Sequence, residues 1–189
     1  FDFGDPAPCA LVIGGLKGIF IFILYADEMK GLGREDLINW LHTELSRYKA
    51  YTVNPDPSIG GKYISEVLNE LGYAINVLDE QAKEERVQNM KSIVERRIII
   101  IPKAFWALIN SMRGVHRDKM GRVVKYNDHS FDAICYLCCD WGEMEGNVED
   151  VFREMEAWTG KKIVSEAPIE EEGDILLTDK AKGIKIWKD

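Results

Sequence analysis

The alternation of apolar and polar residues in the first part of the chain predicts a hairpin, a helix and a further strand. Ala10–Ile13 and Ile19–Tyr25 are rich in β-branched and aromatic residues, and the stretch Gly14–Gly18 between them carries glycines, so we expect two antiparallel strands joined by a turn. From Gly33 onward, apolar residues recur at helical spacing, with acids in the first turn where the helix dipole favours them. A short strand over Ala50–Val53 is expected to follow.

Beyond this strand, the pattern alternates between helices and strands. We expect helices over Ile64–Leu71, Lys83–Glu95, Ala104–Met112 and about His129–Asp140, and strands over Ala74–Leu78 and Ile98–Ile101. The second of these strands consists of four isoleucines and suits burial on both faces. Arg113–Tyr126 alternates valine with charge and contains two glycines, as an exposed hairpin or loop does. The whole order predicts an α/β three-layer fold, with a mixed central sheet, antiparallel first strands and flanking helices.

The length and composition indicate one domain with an appendage. The chain has 189 residues, of which 46% are hydrophobic, and this is enough for one sizeable core. Phe1–Gly4 has the character of a strand end and no Met precedes it, so we expect a piece of a longer protein. Beyond Trp141 the sequence becomes acidic and uneven. We therefore predict a domain over residues 1–141 and an acidic C-terminal appendage over residues 142–189.

Apolar runs and cysteines restrict the environment of the protein. The longest apolar runs, Gly18–Ala26 and Ile98–Pro102, are far shorter than the roughly 20 residues that a membrane helix needs, so we expect a soluble protein with no membrane partner. The cysteines are clustered rather than spread as disulfide staples, which fits a reducing compartment. Cys135, Cys138 and Cys139 lack a second pair of zinc ligands, and we expect them to be small buried hydrophobic residues.

Three aspartates stand where a strand end or a helix start meets a turn. They are Asp2, Asp56 and Asp132. In an α/β sheet such positions converge at one edge, and phosphodiester cleavage by two metal ions needs several carboxylates gathered in this way. The alternative is that each aspartate caps a helix or satisfies backbone amides in its own turn. The residues taken alone leave both interpretations open.

Three short motifs contain these aspartates. Phe1-Asp2-Phe3-Gly4 is followed by Pro8, Asp56-Pro57-Ser58 follows a strand, and the third motif runs from Asn127 to Tyr136. In their order and spacing, over about Phe1–Trp141, they resemble the nuclease domain of the large terminase subunit of tailed bacteriophages, a member of the ribonuclease-H-like superfamily. The third motif is similar to the family signature Asp-His-x-x-Asp-Ala-x-Arg-Tyr. Here Cys135 stands in the place of the usual arginine.

The resemblance implies a metal-dependent endonuclease that cuts concatemeric double-stranded viral DNA to begin and end genome packaging. Two Mg²⁺ or Mn²⁺ ions would be held by Asp2, Asp56 and Asp132, with Asp2 bridging the two. Asp128 and His129 are further candidate ligands, because helical spacing places them on one face with Asp132. His129 could also be a proton shuttle, a phosphate contact, or an exposed or capping residue.

The resemblance also implies the surroundings of such an enzyme. The expected partners are double-stranded DNA, a packaging ATPase domain upstream in the same full-length chain, the portal and the small terminase subunit, all in the cytoplasm of the host cell. We expect no nucleotide site in Ser58–Lys62, because this stretch lacks the phosphate-loop spacing. The acidic appendage could repel DNA, dock on a partner such as the portal, or form a solvated helix.

Basic residues concentrate in one stretch of a chain whose net charge is -8. They are Lys103, Arg113, Arg117, Lys119, Arg122 and Lys125, with His116, and Asp118 is the one acid among them. Global charge argues against binding nucleic acid through bulk positive charge, although bound cations would reverse the field around a carboxylate cluster. We predict that Arg113, Arg117, Lys119, Arg122 and Lys125 contact DNA phosphates without reading sequence. The alternative is a solvated hairpin.

Other functions remain compatible with the sequence. A different ribonuclease-H-like nuclease, such as a resolvase or a hybrid-specific ribonuclease, would carry a similar set of carboxylates. A non-catalytic α/β interaction module would carry the aspartates as turn residues. The aromatic residues Phe105, Trp106, Trp141 and Trp158 have helical spacing, and we expect them in the core rather than in a base-stacking platform.

Overall fold

The computed structural model describes residues 1–3, 8–77, 83–124, 128–139 and residue 153. The strands are β1 (Cys9–Lys17), β2 (Phe20–Met29), β3 (Thr52–Val53), β4 (Ala74–Ile75), β5 (Ile99–Ile100), β6 (His116–Arg117) and β7 (Val123–Val124). The helices are α1 (Arg34–Arg47), α2 (Ile59–Glu70), α3 (Lys83–Glu95), α4 (Trp106–Arg113) and α5 (His129–Cys138). In these parts of the chain, no helix has the length and apolar character that crossing a membrane requires.

The predicted first hairpin is present, with longer strands than expected. β1 pairs antiparallel with β2, with a bulge between Ile13 and Gly14. The turn is two residues long and begins with Gly18, whose φ of 59° lies in the left-handed region that glycine tolerates. The prediction of a turn over Gly14–Gly18 was therefore wrong. Gly14 instead continues β1 beneath α5, where a Cβ atom would lie 2.8 Å from Cδ2 of Leu137.

The segment Phe1–Phe3 lies between two sets of strands and forms backbone hydrogen bonds on both sides. β1, β2 and β5 form one sheet, in which β5 is parallel to β2, and β3 and β4 form a separate parallel pair. Asp2 pairs antiparallel with Ala10 through backbone hydrogen bonds of 2.9 and 3.0 Å. On the other side, the nitrogen of the first residue donates to the Asn54 carbonyl at 2.8 Å, and its carbonyl accepts from Asp56 N at 2.9 Å. The predicted mixed sheet with antiparallel first strands is confirmed.

Hydrophobic residues of β1 supply both faces of this sheet, because successive side chains of a strand point to opposite sides. Ala10 and Val12 belong to a core cluster with α3, α4 and α5, whereas Leu11 and Ile13 belong to a second cluster with α1 and α2. Ile98, Ile99 and Ile101 of the isoleucine run are also buried. The predicted three-layer arrangement of helices on both faces of a sheet is confirmed.

The β6–β7 hairpin agrees with its prediction, whereas the aromatic residues agree only in part. β6 and β7 pair antiparallel and confirm the hairpin predicted within Arg113–Tyr126. Trp106 was wrongly assigned to the core: it is 67% exposed, because α4 buries the side formed by Leu108, Ile109 and Met112. Phe105 is partly buried against the core, while Trp141, Trp158 and the acidic appendage lie outside the described residues, apart from residue 153.

The cysteines on α5 are partly as expected. Cys135 and Cys138 are buried, and burial raises the pKa of the Cys138 thiol. Cys139, at the end of the helix, is partly exposed, so the prediction of a buried residue was wrong at this position. Asn54 Nδ2 lies 3.6 Å from Cys139 Sγ and donates to the Tyr136 carbonyl at 2.8 Å, which ties the end of α5 to the residues after β3.

Candidate active site at the sheet edge

Helix α5 carries most of the third motif, and side chains from other elements hold its first turn. Asp128 occupies the N-cap position, but its side chain does not cap the helix. Instead, the backbone N–H and hydroxyl of Ser130 both donate to Oε1 of Glu28 on β2, at 3.0 and 2.6 Å. The N–H of Phe131 donates to Oγ of Ser111 on α4, at 3.1 Å. The start of α5 is therefore anchored to the sheet and to α4.

Asp2 meets α5 through His129. Oδ2 of Asp2 lies 2.8 Å from Nδ1 of His129, across 127 positions of sequence. Asp2 is 8% exposed, and this burial raises its pKa from the ordinary 3.8 to about 6, with a further upward effect from Asp132 and Asp56 and a downward effect from the His129 hydrogen bond. Because the other two carboxylates act on Asp2, all three share one electrostatic environment. We call Asp2, Asp56 and Asp132 the carboxylate cluster.

Asp56 is held by the turn that starts α2. Ser58 donates to both carboxylate oxygens of Asp56, through its hydroxyl at 2.7 Å and its backbone N–H at 3.0 Å. Its hydroxyl also accepts from the N–H of Gly61 at 3.2 Å, so Ser58 is the N-cap of α2, which begins earlier than the predicted Ile64. A Cβ atom on Gly60 would collide with the Phe3 ring, and one on Gly61 with the Asp56 carbonyl. These glycines permit close packing beside Asp56.

Asp132 faces helix α3 and is paired there with an arginine. Nε of Arg86 lies 3.7 Å from Oδ1 of Asp132, and the Arg86 guanidinium carbon lies 5.5 Å from the centroid of the Tyr136 ring. The hydroxyl of Tyr136 donates to Oδ1 of Asp56 at 3.5 Å, and burial followed by the negative charge of Asp56 raises the pKa of Tyr136. Asp2 and Asp56 therefore each contact a side chain of α5, His129 and Tyr136, and Asp132 of the same helix is paired with Arg86.

Comparison with known proteins agrees with this geometry. Residues 26–140 match the family model described as the terminase RNaseH-like domain. The chain belongs to this family. No curated protein and no solved structure matches it. Membership confirms the family resemblance and the ribonuclease-H-like fold, and it gives this terminase domain a nuclease-type function, that of a hydrolase acting on nucleic acids. A terminase domain is also consistent with DNA interaction and packaging complexes.

Several residues of the terminase domain that hold the cluster were not predicted from the sequence. Arg86 had a signal, because it lies four residues before the buried Met90 and so occupies the inward side of α3, where arginine is uncommon. Glu28 and Ser111 had none, since only the fold brings them to α5. Cys135 replaces the signature arginine, and its Sγ lies 3.9 Å from the backbone carbonyl of Arg86.

The residues of the cluster have the chemistry for a divalent cation, although their present geometry is not that of a ligand set. Throughout the described part of the chain, no group of three or more His, Cys, Asp or Glu residues is arranged to hold a metal ion. His129 and Ser58 lie at hydrogen-bond distance from Asp2 and Asp56. Carboxylate oxygens nevertheless suit Mg²⁺ and Mn²⁺. The pKa of Asp2 is raised mainly by burial and to a smaller extent by the negative charge of Asp132 and Asp56, and a bound cation would offset this neighbouring charge. RNaseH-like nucleases generally use divalent metals.

Three of the predicted DNA-binding residues, Arg117, Lys119 and Arg122, lie on the hairpin of β6 and β7, which helix α3 contacts, and Arg113 ends helix α4. Arg113, Lys119 and Arg122 are exposed, and Lys125 lies outside the described residues. Arg117 is less exposed, because it forms an ion pair with Glu84 of α3 and donates to the Gly121 carbonyl at 2.7 Å. Arg122 pairs with Asp118 at 2.9 Å. An acid from α3 therefore offsets part of the basic charge that the sequence places in this stretch.

Proposed function

We propose that this terminase domain is a metal-dependent endonuclease that cleaves concatemeric double-stranded viral DNA during genome packaging. The observation that carries the proposal is that Asp2 and Asp56 both contact side chains of α5, the helix that carries Asp132 and most of the third motif. Family membership supports hydrolysis of nucleic acid. The proposed setting is the host cell cytoplasm, with an upstream packaging ATPase domain in the full-length chain, and with the portal and the small terminase subunit as partners.

The proposed ligands are the carboxylate cluster, with Asp128 and His129 beside it at the start of α5. Two Mg²⁺ or Mn²⁺ ions, when bound, would lower the pKa of the attacking water and stabilise the leaving oxygen of the phosphodiester. Ser58 holds Asp56 through both carboxylate oxygens and so limits its rotation. Asp2 orients the imidazole of His129 through Nδ1, and an imidazole can accept or release a proton near neutral pH.

DNA would be held mainly through its backbone. Exposed Arg113, Lys119 and Arg122, with Arg117 and Lys125 of the same stretch, offer positive charge just before the motif that leads into α5. Contacts of this kind position a duplex without reading its sequence, and they weaken as salt rises. The proposed substrate is therefore double-stranded DNA bound with little sequence preference at the hairpin.

Cleavage of supercoiled plasmid in Mn²⁺ tests the proposal. Asp2→Asn, Asp56→Asn and Asp132→Asn preserve side-chain size while removing the charge that would bind a cation, so each should abolish cleavage while circular dichroism shows a folded chain. Asp36→Asn, at an exposed position in the first turn of α1, is the matched control and should cleave as the unaltered protein does. Cleavage that survives in all three cluster variants would refute the proposal.

The relative rates of cleavage of three nucleic-acid substrates distinguish the proposed function from that of a resolvase or a hybrid-specific ribonuclease. An RNA–DNA hybrid and a four-way DNA junction, offered beside linear duplex under the same conditions, should be cut more slowly than the duplex. A preference for the junction would favour a resolvase, and a preference for the hybrid would favour a ribonuclease. The absence of Mn²⁺ binding by calorimetry, together with the absence of Mn²⁺-dependent thermal stabilisation, would favour a non-catalytic module.

A further inference from the structure

We propose that Arg86 is a positioning residue of the nuclease site, whose guanidinium offsets part of the negative charge of the carboxylate cluster and holds Asp132 and Tyr136 against helix α3. The importance of Arg86 for catalysis rests on the proposed function. The contacts that support it belong to the fold itself and can be tested without DNA or cleavage.

Arg86 and Asp132 form an ion pair with little exposure to water. Their side chains are 16% and 14% exposed, and Nε and Oδ1 are 3.7 Å apart. This separation exceeds that of a normal hydrogen bond. The attraction between these two atoms is therefore mainly electrostatic and not a directional hydrogen bond. Arginine keeps its charge inside proteins, and a buried ion left without its counter-ion is strongly destabilising. Removal of either partner should therefore destabilise the fold much more than removal of both.

The influence of Arg86 extends to the second carboxylate through Tyr136. The guanidinium lies over the Tyr136 ring at 5.5 Å, a distance at which a cation is attracted to the ring face. Tyr136 is 6% exposed, and its hydroxyl reaches Oδ1 of Asp56 at 3.5 Å. One arginine of α3 thus contacts one member of the carboxylate cluster directly and another through an aromatic side chain.

The location of Arg86 on α3 also distinguishes it from a surface arginine. Val87 and Met90, its neighbours toward the core, are each 1% exposed and belong to the cluster packed under the sheet. A charge on this side of a helix requires compensation inside the protein. Asp132 provides this compensation, so the arginine offsets part of the negative charge of the carboxylate cluster before any cation binds.

Thermal unfolding with and without Mn²⁺ tests the proposal. Arg86→Met keeps an unbranched side chain that fills the space of the aliphatic part of arginine and removes the charge, so it should lower the metal-free Tm by roughly 5 °C. Saturating Mn²⁺ should recover most of this loss, because bound cations would then balance the acids. Arg86→Lys keeps the charge and should lose less than half as much as Arg86→Met.

Lys91→Met is the matched control on the same helix. Lys91 pairs with Glu95 at 4.0 Å, but both side chains are more than one-third exposed, at 36% and 38%. An exposed pair of this kind contributes little, so this variant should change Tm by less than about 1 °C, with or without Mn²⁺.

Two results would overturn the role of Arg86. One is an unchanged metal-free Tm in Arg86→Met. The other is a loss that Arg86→Lys shares in full and that Mn²⁺ does not recover, since this would reflect packing alone.

If Mn²⁺ does not change the Tm of the unaltered protein, that result counts against the proposed function. The role of Arg86 is then tested by combining Arg86→Met with Asp132→Asn and measuring the Tm. In the Asp132→Asn background, charge balance predicts a smaller loss from Arg86→Met than in the unaltered protein, and an equal loss refutes it.

Discussion

The carboxylate cluster and the basic hairpin formed by β6 and β7 differ in how the chain builds them. Asp2 and Asp56 are each 8% exposed, and their contacts join residues as far as 127 positions apart. The hairpin is local in sequence, and Lys119 and Arg122 on it are exposed. The cluster therefore depends on atomic positions set by the whole fold, whereas the hairpin depends on charge at a surface.

Helix α3 connects these two regions within its first turn. Glu84 pairs with Arg117 of the hairpin, and Arg86 pairs with Asp132 of the carboxylate cluster. The first pair is at the surface and the second is shielded from water, so the same kind of ion pair should have unequal energetic weight. Within one turn of α3, the exposed Glu84 thus makes a weak contact with the proposed DNA surface, and the shielded Arg86 makes a strong contact with the proposed site.

Among substitutions outside the carboxylate cluster itself, a single methyl group beside Asp56 should reduce cleavage the most. In Gly61→Ala, the added Cβ would collide with the carbonyl of Asp56, and a helix backbone cannot yield as a flexible side chain does. Overpacking of this kind costs about 1–3 kcal/mol, and a displacement of about 1 Å at a catalytic group can reduce the rate roughly 100-fold. Plasmid cleavage and urea unfolding should both register the change.

Gly15→Ala is the matched control for this substitution. A Cβ atom at Gly15 would lie 3.5 Å from Cδ1 of Leu24, an ordinary contact. This variant should retain cleavage close to that of the unaltered protein. If Gly61→Ala cleaves as well as Gly15→Ala does, Asp56 does not depend on close packing at α2, and the contrast with the hairpin weakens.

A smaller effect is expected from charge reversal on the hairpin. Lys119→Glu combined with Arg117→Glu should weaken DNA binding, and the slope of log K against log salt should fall by about 0.9 for each phosphate that the protein no longer neutralises. Filter binding in Ca²⁺, without turnover, would measure both quantities. Glu84→Gln sharpens the comparison, because loss of the ion pair with Arg117 should leave binding equal or slightly stronger. Unchanged binding after the double reversal would place the DNA elsewhere.

The smallest effect concerns pH in the absence of metal. The pKa of Asp2 is raised from 3.8 to about 6 in the folded chain, so the folded state binds this proton more tightly than the unfolded state does. The resulting stability is fully present below pH 3.8 and is lost as pH rises through about 6. Urea unfolding across this range should show a decline that Asp2→Asn reduces. An identical decline in Asp2→Asn would mean that the pKa of Asp2 is not raised in the folded protein.

Much of the fold was predictable, because it follows from local patterns. The helical spacing that starts near Gly33 and the pattern over Lys83–Glu95 led to α1 and α3, and the pattern over Ile64–Leu71 led to most of α2. Turn details were less predictable. Gly14 looked like a turn residue, but it is glycine because α5 packs closely on β1.

For the candidate site, local patterns along the chain were enough to identify which residues have the required chemistry. The aspartates stand at element ends where side chains can leave the core, and the spacing within the third motif places His129 and Asp132 on one helix. Such features depend on neighbours within a few positions, and a linear pattern records them. The DNA-binding assignment of the hairpin, in contrast, stays a prediction.

The partner that each of these residues contacts depends on how the whole chain folds. The contacts of Arg86 with Asp132, Glu28 with Ser130 and Asp2 with His129 join distant segments. Charge alone offered many possible pairings in a chain with 24 basic and 32 acidic residues. Burial selects among them, because an ion removed from water must find its counter-ion inside the fold. That selection depends on packing in three dimensions, which local spacing along the chain does not encode.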